Sequence, residues 1–296
     1  MGSKAYYPAL MIEYNYISRS ISDPNKYREI RDKRIELKKN KDPMQAPYKI
    51  VLNGTYGAMK DKYNPLYDPR QANNVCIAGQ LLLLDLIEHM ESANKFELIQ
   101  SNTDGVMFKL KSMDDFELLK RICSEWENRT RMVLEYDIFT SIFQKDVNNY
   151  LTLEEDGSYK SKGAYVKKLN ELDYDLPIVN KAIKEYFINN VPVEVTINNC
   201  NDLKEFQKIV KVSSKYKYAI HNGKILKEKT LRVFASRSTS DSEIFKTKGV
   251  TFEKIANTPN RCFIENGNVN NMEVPRKLNK KWYIEVATQR LKDFKE

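Results

Sequence analysis

The sequence predicts an α+β fold in which an antiparallel sheet carries helices on one face. Two β-prone runs, residues 96–99 and 106–110, flank an Asn-Thr-Asp-Gly sequence at 102–105, and this pattern is typical of a β-hairpin. Apolar residues recur at helical spacing in residues 71–91 and 114–132, on either side of that hairpin. Because strands joined by short turns alternate with amphipathic helices, we expect the helices to cover one face of the sheet.

The first third of the chain predicts a buried segment followed by a helical hairpin. Residues 5–17 are aromatic and aliphatic, and they are typical of a buried strand that turns into a helix or loop. Residues 24–41 follow Asp23 as a helix with eight basic and three acidic side chains. A second helix begins near Ala46, after the break at Asp42-Pro43. The two helices are expected to form a hairpin with a basic inner face.

Helical spacing places chemically related side chains on common faces of these two helices. Arg34 and Lys38 lie three and seven residues after Arg31, so all three side chains share one face of the first helix. Lys49, Asn53 and Tyr56 lie at i, i+4 and i+7 of the second helix.

The later sequence predicts further strands and a second group of helices. A strand is expected over 133–143 and a hairpin turn over 154–158, followed by a basic and aromatic run suited to a sugar–phosphate backbone. The remaining predicted elements are helices at 178–190 and 201–210, short strands within 215–235, and a C-terminal helix at 280–294.

The composition of the chain limits the classes of function that it can have. The chain has 296 residues and a formal net charge of +9, which is compatible with a polyanionic partner such as nucleic acid and equally with a merely basic protein. Four separated cysteines and two histidines argue against a zinc site and a histidine-based triad. The separated cysteines are typical of reduced thiols and indicate a cytoplasmic protein. The longest apolar block, 77–87, is too short for a bilayer, so no membrane partner is expected.

Three short motifs occur in register and resemble one family. The run Lys49-x-x-x-Asn53-Gly54-x-Tyr56-Gly57 is similar to the fingers motif of family B DNA polymerases, with glycine replacing serine. Tyr6-Tyr7-Pro8-Ala9 resembles the end of the first palm motif, and Asn102-Thr103-Asp104-Gly105 resembles the second. The motifs resemble those of phage polymerases in particular, and a phage protein would act in the host cytoplasm. The resemblance covers residues 4–170 well and the remainder of the chain loosely.

The resemblance implies an architecture and a reaction. Residues 1–25 and 58–152 would form a palm, 26–57 the fingers helical hairpin, and 153–296 a mixed α/β thumb and C-terminal region. The implied activity is DNA-templated DNA synthesis in DNA replication, in which a nucleotidyl group passes from a dNTP to a primer 3′ end. The implied partners are primer–template DNA and dNTP, and the implied cofactors are two Mg²⁺ ions, with Mn²⁺ as a substitute.

The resemblance also implies roles for individual residues. Asp104 would bind the metal ions and act in catalysis, and Glu135 is a further candidate ligand. The expected nucleotide-binding residues are Tyr7, Arg34, Lys38, Lys49, Asn53, Tyr56 and Gly57. The expected DNA-binding residues are Tyr150, Lys162, Gly163, Tyr165, Lys167 and Lys168.

Departures from the family pattern limit the expected activity. The aspartate of the first palm motif would fall at position 2, which is Gly2, and the first acid of the second motif is replaced by Asn102. We therefore expect a polymerase core cut within the first palm motif, with weak or no activity on its own. The alternative is half of a split or degenerate polymerase, a DNA-binding or assembly module that pairs with an N-terminal exonuclease-containing chain or domain. Another palm enzyme, such as a reverse transcriptase, is disfavoured by the Lys49–Gly57 motif.

Overall fold

The computed structural model describes residues 2–3, 6–163, 165–166 and 174–294. The chain divides after Asp137 into two compact units, and each unit is described by itself. Helices and strands are mixed in both, and every strand pair among the described residues is antiparallel, so the α+β class is confirmed. No helix in the described ranges is long and apolar enough to span a membrane.

The first unit is mainly helical. Its helices are α1 (Tyr6–Glu13), α2 (Pro24–Lys39), α3 (Gln45–Ala58), α4 (Pro69–Ser92) and α5 (Phe116–Thr130). Its strands are β1 (Gly2–Ser3), β2 (Phe96–Ser101), β3 (Val106–Leu110) and β4 (Leu134–Glu135). Among the residues described in this unit, the strands form two separate ladders, β1–β4 and β2–β3, rather than the single sheet expected from the sequence.

The helical hairpin predicted for residues 24–57 is confirmed. The carboxylate of Asp23 accepts a hydrogen bond from the Asn25 amide, and a proline occupies the first turn of α2, as a helix start requires. The buried Tyr27 joins the two helices, because its hydroxyl donates to the Leu52 carbonyl of α3 at 2.9 Å. Burial raises the pKa of the Tyr27 hydroxyl, which keeps it a donor at neutral pH.

The hairpin predicted around Asp104 is also confirmed. Strands β2 and β3 pair from Phe96↔Leu110 to Ser101↔Val106, with a bulge after Leu98. The turn is closed by the Asn102 amide, which donates to the Gly105 carbonyl at 2.9 Å. The Asn102 side chain in turn accepts from the Asp104 amide at 3.2 Å, a local bond typical of an Asn-initiated turn.

Helix α1 is the buried centre of the first unit. The Tyr6 hydroxyl donates to the Gly79 carbonyl of α4 at 2.7 Å. A Cβ atom at position 79 would lie 3.1 Å from Leu10 Cδ1 and 3.3 Å from Tyr6, so glycine is what allows α1 and α4 to approach this closely. Helix α5 is attached to α4 by Trp126, whose indole donates to the Leu82 carbonyl at 2.9 Å.

The described residues of the second unit form three small sheets and several helices. Its helices are α6 (Pro177–Asn189), α7 (Val193–Asn199) and α8 (Lys280–Leu291). Its strands are β5 (Ser141–Asp146), β6 (Asn149–Leu153), β7 (Tyr159–Lys162), β8 (Lys208–Lys211), β9 (Tyr218–His221), β10 (Lys224–Leu226), β11 (Thr230–Ala235), β12 (Ile244–Thr247), β13 (Phe252–Lys254) and β14 (Cys262–Ile264). The sheet orders are β5-β6-β7, β14-β11-β8 and β10-β9-β12-β13.

Two sequence predictions in this region are wrong. The single strand expected over 133–143 is interrupted between β4 and β5, because Tyr136, Asp137 and Ile138 are all exposed and provide no buried face. The helix expected over 201–210 is a short 3-10 turn, Leu203–Phe206, followed by strand β8. Strand β8 pairs with β11, a partner about twenty residues away that helical spacing cannot reveal. The hairpin turn at 154–158 and the helices α6 and α8 agree with the sequence.

Candidate functional site

A cavity of about 610 Å³ lies in the first unit, between α1, α2, α3, the β2–β3 turn and β4. Eight residues singled out in the sequence line it together, although they come from five separate elements. The lining residues are Tyr6, Tyr7, Pro8, Arg34, Ile35, Lys38, Lys39, Lys49, Asn53, Tyr56, Thr103, Asp104 and Glu135. Gly57, also predicted, does not line this cavity and has open space where a Cβ atom would be.

The α2–α3 hairpin supplies the positive charge of the cavity. Arg34, Lys38 and Lys39 of α2 and Lys49 of α3 face two carboxylates, Asp104 and Glu135, so cations are in excess. The Nε atom of Arg34 is buried without a hydrogen-bond partner among the described residues. A buried guanidinium donor that lacks a partner is costly, so the Arg34 side chain would be stabilised by any arrangement that gives its Nε an acceptor.

Two tyrosines form the aromatic wall. The rings of Tyr7 and Tyr56 meet edge to face with centroids 4.6 Å apart. The Tyr56 hydroxyl lies 2.6 Å from Cys76 Sγ, and the Lys60 ammonium lies 4.5 Å from the Tyr56 ring centre. Burial, followed by the nearby Cys76, raises the pKa of Tyr7 to about 12, so this hydroxyl stays neutral. Cys76 and Lys60 could not be predicted as part of this wall, because neither belongs to a recognisable sequence motif.

The acidic side of the cavity contains one exposed carboxylate and one paired carboxylate. Asp104 is exposed at the hairpin turn. Glu135 accepts hydrogen bonds from the Lys38 ammonium at 3.0 and 3.1 Å, one to each oxygen. Glu135 also lies directly opposite Gly2 in the β1–β4 ladder.

These residues do not fit a pair of divalent cations. Two Mg²⁺ ions in one site need several oxygen ligands and shared carboxylates. Within the part of the chain that the structure describes, no three His, Cys, Asp or Glu side chains come together as a metal site. One free-standing aspartate and one glutamate already bound by lysine supply too few ligands.

The candidate DNA-binding residues lie in the second unit. Tyr150 and Lys162 are opposite one another in the β6–β7 ladder, and the Lys162 ammonium lies 5.9 Å from the Tyr150 ring centre. Gly163 follows at the end of β7 with a φ of +93°. The Lys145 ammonium and the Arg290 guanidinium lie 4.3 and 4.6 Å from the centre of the Tyr165 ring. Lys167 and Lys168 fall outside the described residues.

Comparisons with known proteins find similarity to archaeal enzymes over two thirds of this chain. The chain is 26% identical over 200 residues to DNA polymerase 1 of Sulfurisphaera ohwakuensis. The matched stretch covers 66% of this chain and 22% of that protein. The chain is 24% identical over 201 residues to DNA polymerase 1 of Sulfolobus acidocaldarius, with the same two coverages. The chain therefore spans about a fifth of the length of these relatives. No family model matches the sequence.

A shorter relative is matched over most of its own length. The chain is 37% identical over 71 residues to the uncharacterized mitochondrial protein ymf34 of Marchantia polymorpha. The match covers 24% of this chain and 89% of that protein. Over that stretch the two proteins belong to one family.

Proposed function

We propose that the cavity of the first unit binds a deoxynucleoside triphosphate, and that the chain serves DNA-templated DNA synthesis as part of a family B DNA polymerase. The convergence of Arg34, Lys38 and Lys49 with Tyr7 and Asn53 in one cavity carries the proposal. The similarity to the archaeal DNA polymerases supports it. Residues 1–25 and 58–152 would act as the palm, 26–57 as the fingers, and 153–296 as the thumb and C-terminal region.

The basic side chains hold and orient the triphosphate. The Arg34 guanidinium offers a planar set of donors for phosphate oxygens at the cavity wall. The Lys38 and Lys49 ammonium groups add point charges that neutralise the remaining oxygens. Phosphoryl transfer depends mainly on this kind of positioning and charge neutralisation.

The aromatic and amide side chains define where sugar and base lie. The edge-to-face contact with Tyr56 holds the Tyr7 ring, which would pack under the sugar and exclude a 2′-hydroxyl. Asn53 and Tyr56 share a helical face with Lys49, so they would line the nascent base pair beside the triphosphate. Base selection itself would come from pairing with the template.

Nucleotidyl transfer needs more carboxylates than the described residues place in the cavity. The Mg²⁺ pair, with Mn²⁺ as a substitute, supplies Lewis-acid chemistry in such enzymes. Asp104 is the residue that would contact a metal ion, and Glu135 would join it only by giving up Lys38. We therefore propose weak or no primer extension by this chain alone.

The shortage of carboxylates also favours the second candidate function. In it the chain is the nucleotide- and DNA-binding module of a split polymerase, and a partner chain or domain supplies the missing acid. Primer extension by the full chain with Mg²⁺ or Mn²⁺, with and without Asp104→Ala, separates the two. Extension that is robust and lost in Asp104→Ala would show that this chain alone is a complete catalyst.

Nucleotide binding is tested directly by calorimetric titration of the full chain with dATP at low ionic strength, without divalent metal. We expect Arg34→Ala and Lys49→Ala each to weaken binding about tenfold, because each removes a charge-assisted phosphate contact. Lys26→Ala removes an exposed lysine of α2 outside the cavity and is the matched control, expected to change affinity less than about twofold. Equal losses in all three variants would contradict the proposed site.

A further inference from the structure

A second cavity, of about 460 Å³, lies in the second unit beside the β14-β11-β8 sheet. The sheet residues that line it are Ile209 and Lys211 of β8 and Thr230 and Arg232 of β11. They occupy one face because Lys211 pairs with Thr230, Ile209 pairs with Arg232, and alternate residues of a strand share a face. The opposite face of the same strands belongs to the core.

The lining of this cavity is basic and rich in amides. Lys204, Lys211 and Arg232 supply three cations, and Gln207, Asn268 and Asn270 supply three side-chain amides. No carboxylate contributes to the lining among the described residues. Three cations and several donors without an acid favour an anion with many acceptor oxygens.

Two neighbouring acidic groups, Asp175 and Glu205, already have hydrogen-bond partners. Asp175 accepts from the Lys208 ammonium at 2.9 Å and from the Ile209 amide at 2.7 Å. Glu205 accepts from the Tyr174 hydroxyl at 2.8 Å, which fixes that ring at the cavity wall. Asp175 is therefore paired with Lys208, which lies outside the cavity lining, whereas Glu205 keeps its negative charge because its partner is a neutral hydroxyl. The three cations of the lining outnumber these two carboxylates.

The three cations differ in how firmly the protein holds them. Arg232 donates to the Gln207 side chain at 2.7 Å and to the Gly267 carbonyl at 2.5 Å, so it belongs to the framework. Lys204 lies over the Tyr174 ring with its ammonium 5.1 Å from the ring centre, and Lys211 is exposed. Both lysines can move toward a bound anion with little loss of protein structure.

We propose that this cavity binds one nucleotide unit through its phosphate, with Lys204 and Lys211 as the contacting cations. The volume lies in the range of small-molecule sites and accommodates a nucleoside monophosphate. Tyr174 and Val269 provide aromatic and apolar surface for a base beside the phosphate contacts. The nucleotide is either free or part of a single strand, and both share the same phosphate chemistry.

Fluorescence anisotropy measures how tightly the full chain binds a labelled ten-nucleotide oligo-dT that carries a 5′-phosphate. Lys204→Ala/Lys211→Ala is expected to weaken binding about tenfold at low salt, because two phosphate contacts are removed. Lys224→Ala/Lys227→Ala loses the same charge from exposed lysines of the same unit outside the cavity, and it is expected to change binding less than about twofold. Equal weakening by both double variants, or none by either, overturns the proposal.

Competition identifies the source of the phosphate. Displacement of the oligonucleotide by dTMP, at a concentration that depends on Lys204 and Lys211, indicates a site for a free nucleotide. If dTMP does not displace the oligonucleotide, and the oligonucleotide without a 5′-phosphate binds more weakly, the cavity binds the end of a strand. Thermal unfolding of the double variants checks that they remain folded. The dATP titration of Lys49→Ala probes the first unit, so failure of either site is distinguishable from failure of the other.

Discussion

The Lys38 ammonium lies 3.0 and 3.1 Å from the two carboxylate oxygens of Glu135, and this ion pair links α2 to β4 at the cavity of the first unit. Both side chains are nearly half exposed, at 47% and 43%. Exposed pairs of this kind contribute only about 0–1 kcal/mol, so a phosphate group can readily replace the carboxylate. Glu135 therefore competes with a bound phosphate group for Lys38. It can bind a metal ion only after its ion pair with Lys38 is broken.

Glu135→Gln is expected to tighten binding of dATP about two- to fivefold in the absence of divalent metal, because a competing negative charge is removed. Isothermal titration calorimetry measures the change. Glu29→Gln alters an exposed glutamate of α2 outside the cavity and is expected to bind dATP as the unaltered chain does. Weaker binding by Glu135→Gln, together with reduced Mn²⁺ affinity, would instead assign Glu135 to the metal.

Acid stability of the first unit depends on Asp68. Its carboxylate is buried and accepts from Arg19 Nε at 2.8 Å and Nη2 at 2.9 Å, from the Arg19 amide, and from the Gln71 amide at the start of α4. The Arg19 hydrogen bonds hold the pKa of Asp68 well below its usual range. A lowered folded-state pKa stabilises the fold above the unfolded value of about 3.9, and this contribution is lost as pH falls through the folded pKa.

Asp68→Asn is therefore expected to lower the free energy of unfolding by about 2 kcal/mol at pH 7, since the charge-assisted bonds to Arg19 are lost. Asparagine retains much of the helix cap. Urea denaturation at pH 7, 5 and 3 should show the gap from the unaltered chain narrowing below about pH 4. Asp61→Asn, at an exposed turn, provides the control. A gap that stays constant with pH would contradict the role of the Asp68 charge.

The sequence predicted local features of the first unit well and its assembly less well. Asp23 and Pro24 predict the start of α2, and the Asn102–Gly105 turn predicts the β2–β3 hairpin. Both predictions succeed because these residues lie within a few positions of the structure that they produce. The contact of Tyr56 with Cys76 and the pair Lys38–Glu135 were not predictable in this way. They depend on how separate elements pack, which no local spacing encodes.

The same distinction explains the error at residues 201–210. Leu203, Phe206 and Val210 lie at helical spacing and are all buried, as an amphipathic helix would require. The chain nevertheless forms a strand from Lys208, because β11 offers a complete ladder of backbone partners and Asp175 accepts the Ile209 amide. Tertiary pairing outweighs a short helical pattern here.

Gly163 is expected to be a conformational requirement of the second unit. Its φ of +93° is strained for any residue with a side chain, and a Cβ atom there would collide with the Asn149 side chain and the Asn148 carbonyl. Gly163→Ala should lower the free energy of unfolding by about 2–4 kcal/mol, from backbone strain plus the clash.

Gly223→Ala is the matched control for that substitution. Gly223 has a φ of +72° but open space where a Cβ atom would be, so only the backbone cost of about 1 kcal/mol is expected. Urea denaturation followed by circular dichroism measures both variants. A Gly163→Ala protein as stable as Gly223→Ala would mean that the loop rearranges around the new methyl group. Lost DNA binding with unchanged stability would favour direct contact of Gly163 with DNA.

Gly2 occupies the backbone position opposite Glu135 in the β1–β4 ladder. Side chains at directly opposed positions of an antiparallel pair lie on the same face, with Cβ atoms about 4.5–5.5 Å apart. A carboxylate at position 2 would therefore lie beside Glu135, which lines the same cavity as Asp104. Gly2→Asp is therefore expected to add a third carboxylate to Asp104 and Glu135 and to supply an oxygen ligand of the kind that a hard divalent cation requires.

Gly2→Asp is accordingly expected to raise Mn²⁺ affinity at least about tenfold, because a third carboxylate joins the ligand set. Electron paramagnetic resonance of free Mn²⁺ measures the affinity without relying on enzyme activity. Gly2→Asn, which has the same shape but no charge, should bind Mn²⁺ as weakly as the unaltered chain. Adding Glu135→Gln to Gly2→Asp should remove most of the gain, since the paired carboxylate is lost. Equal affinities for the Asp and Asn variants would mean that position 2 does not face the cavity, whatever its register with Glu135.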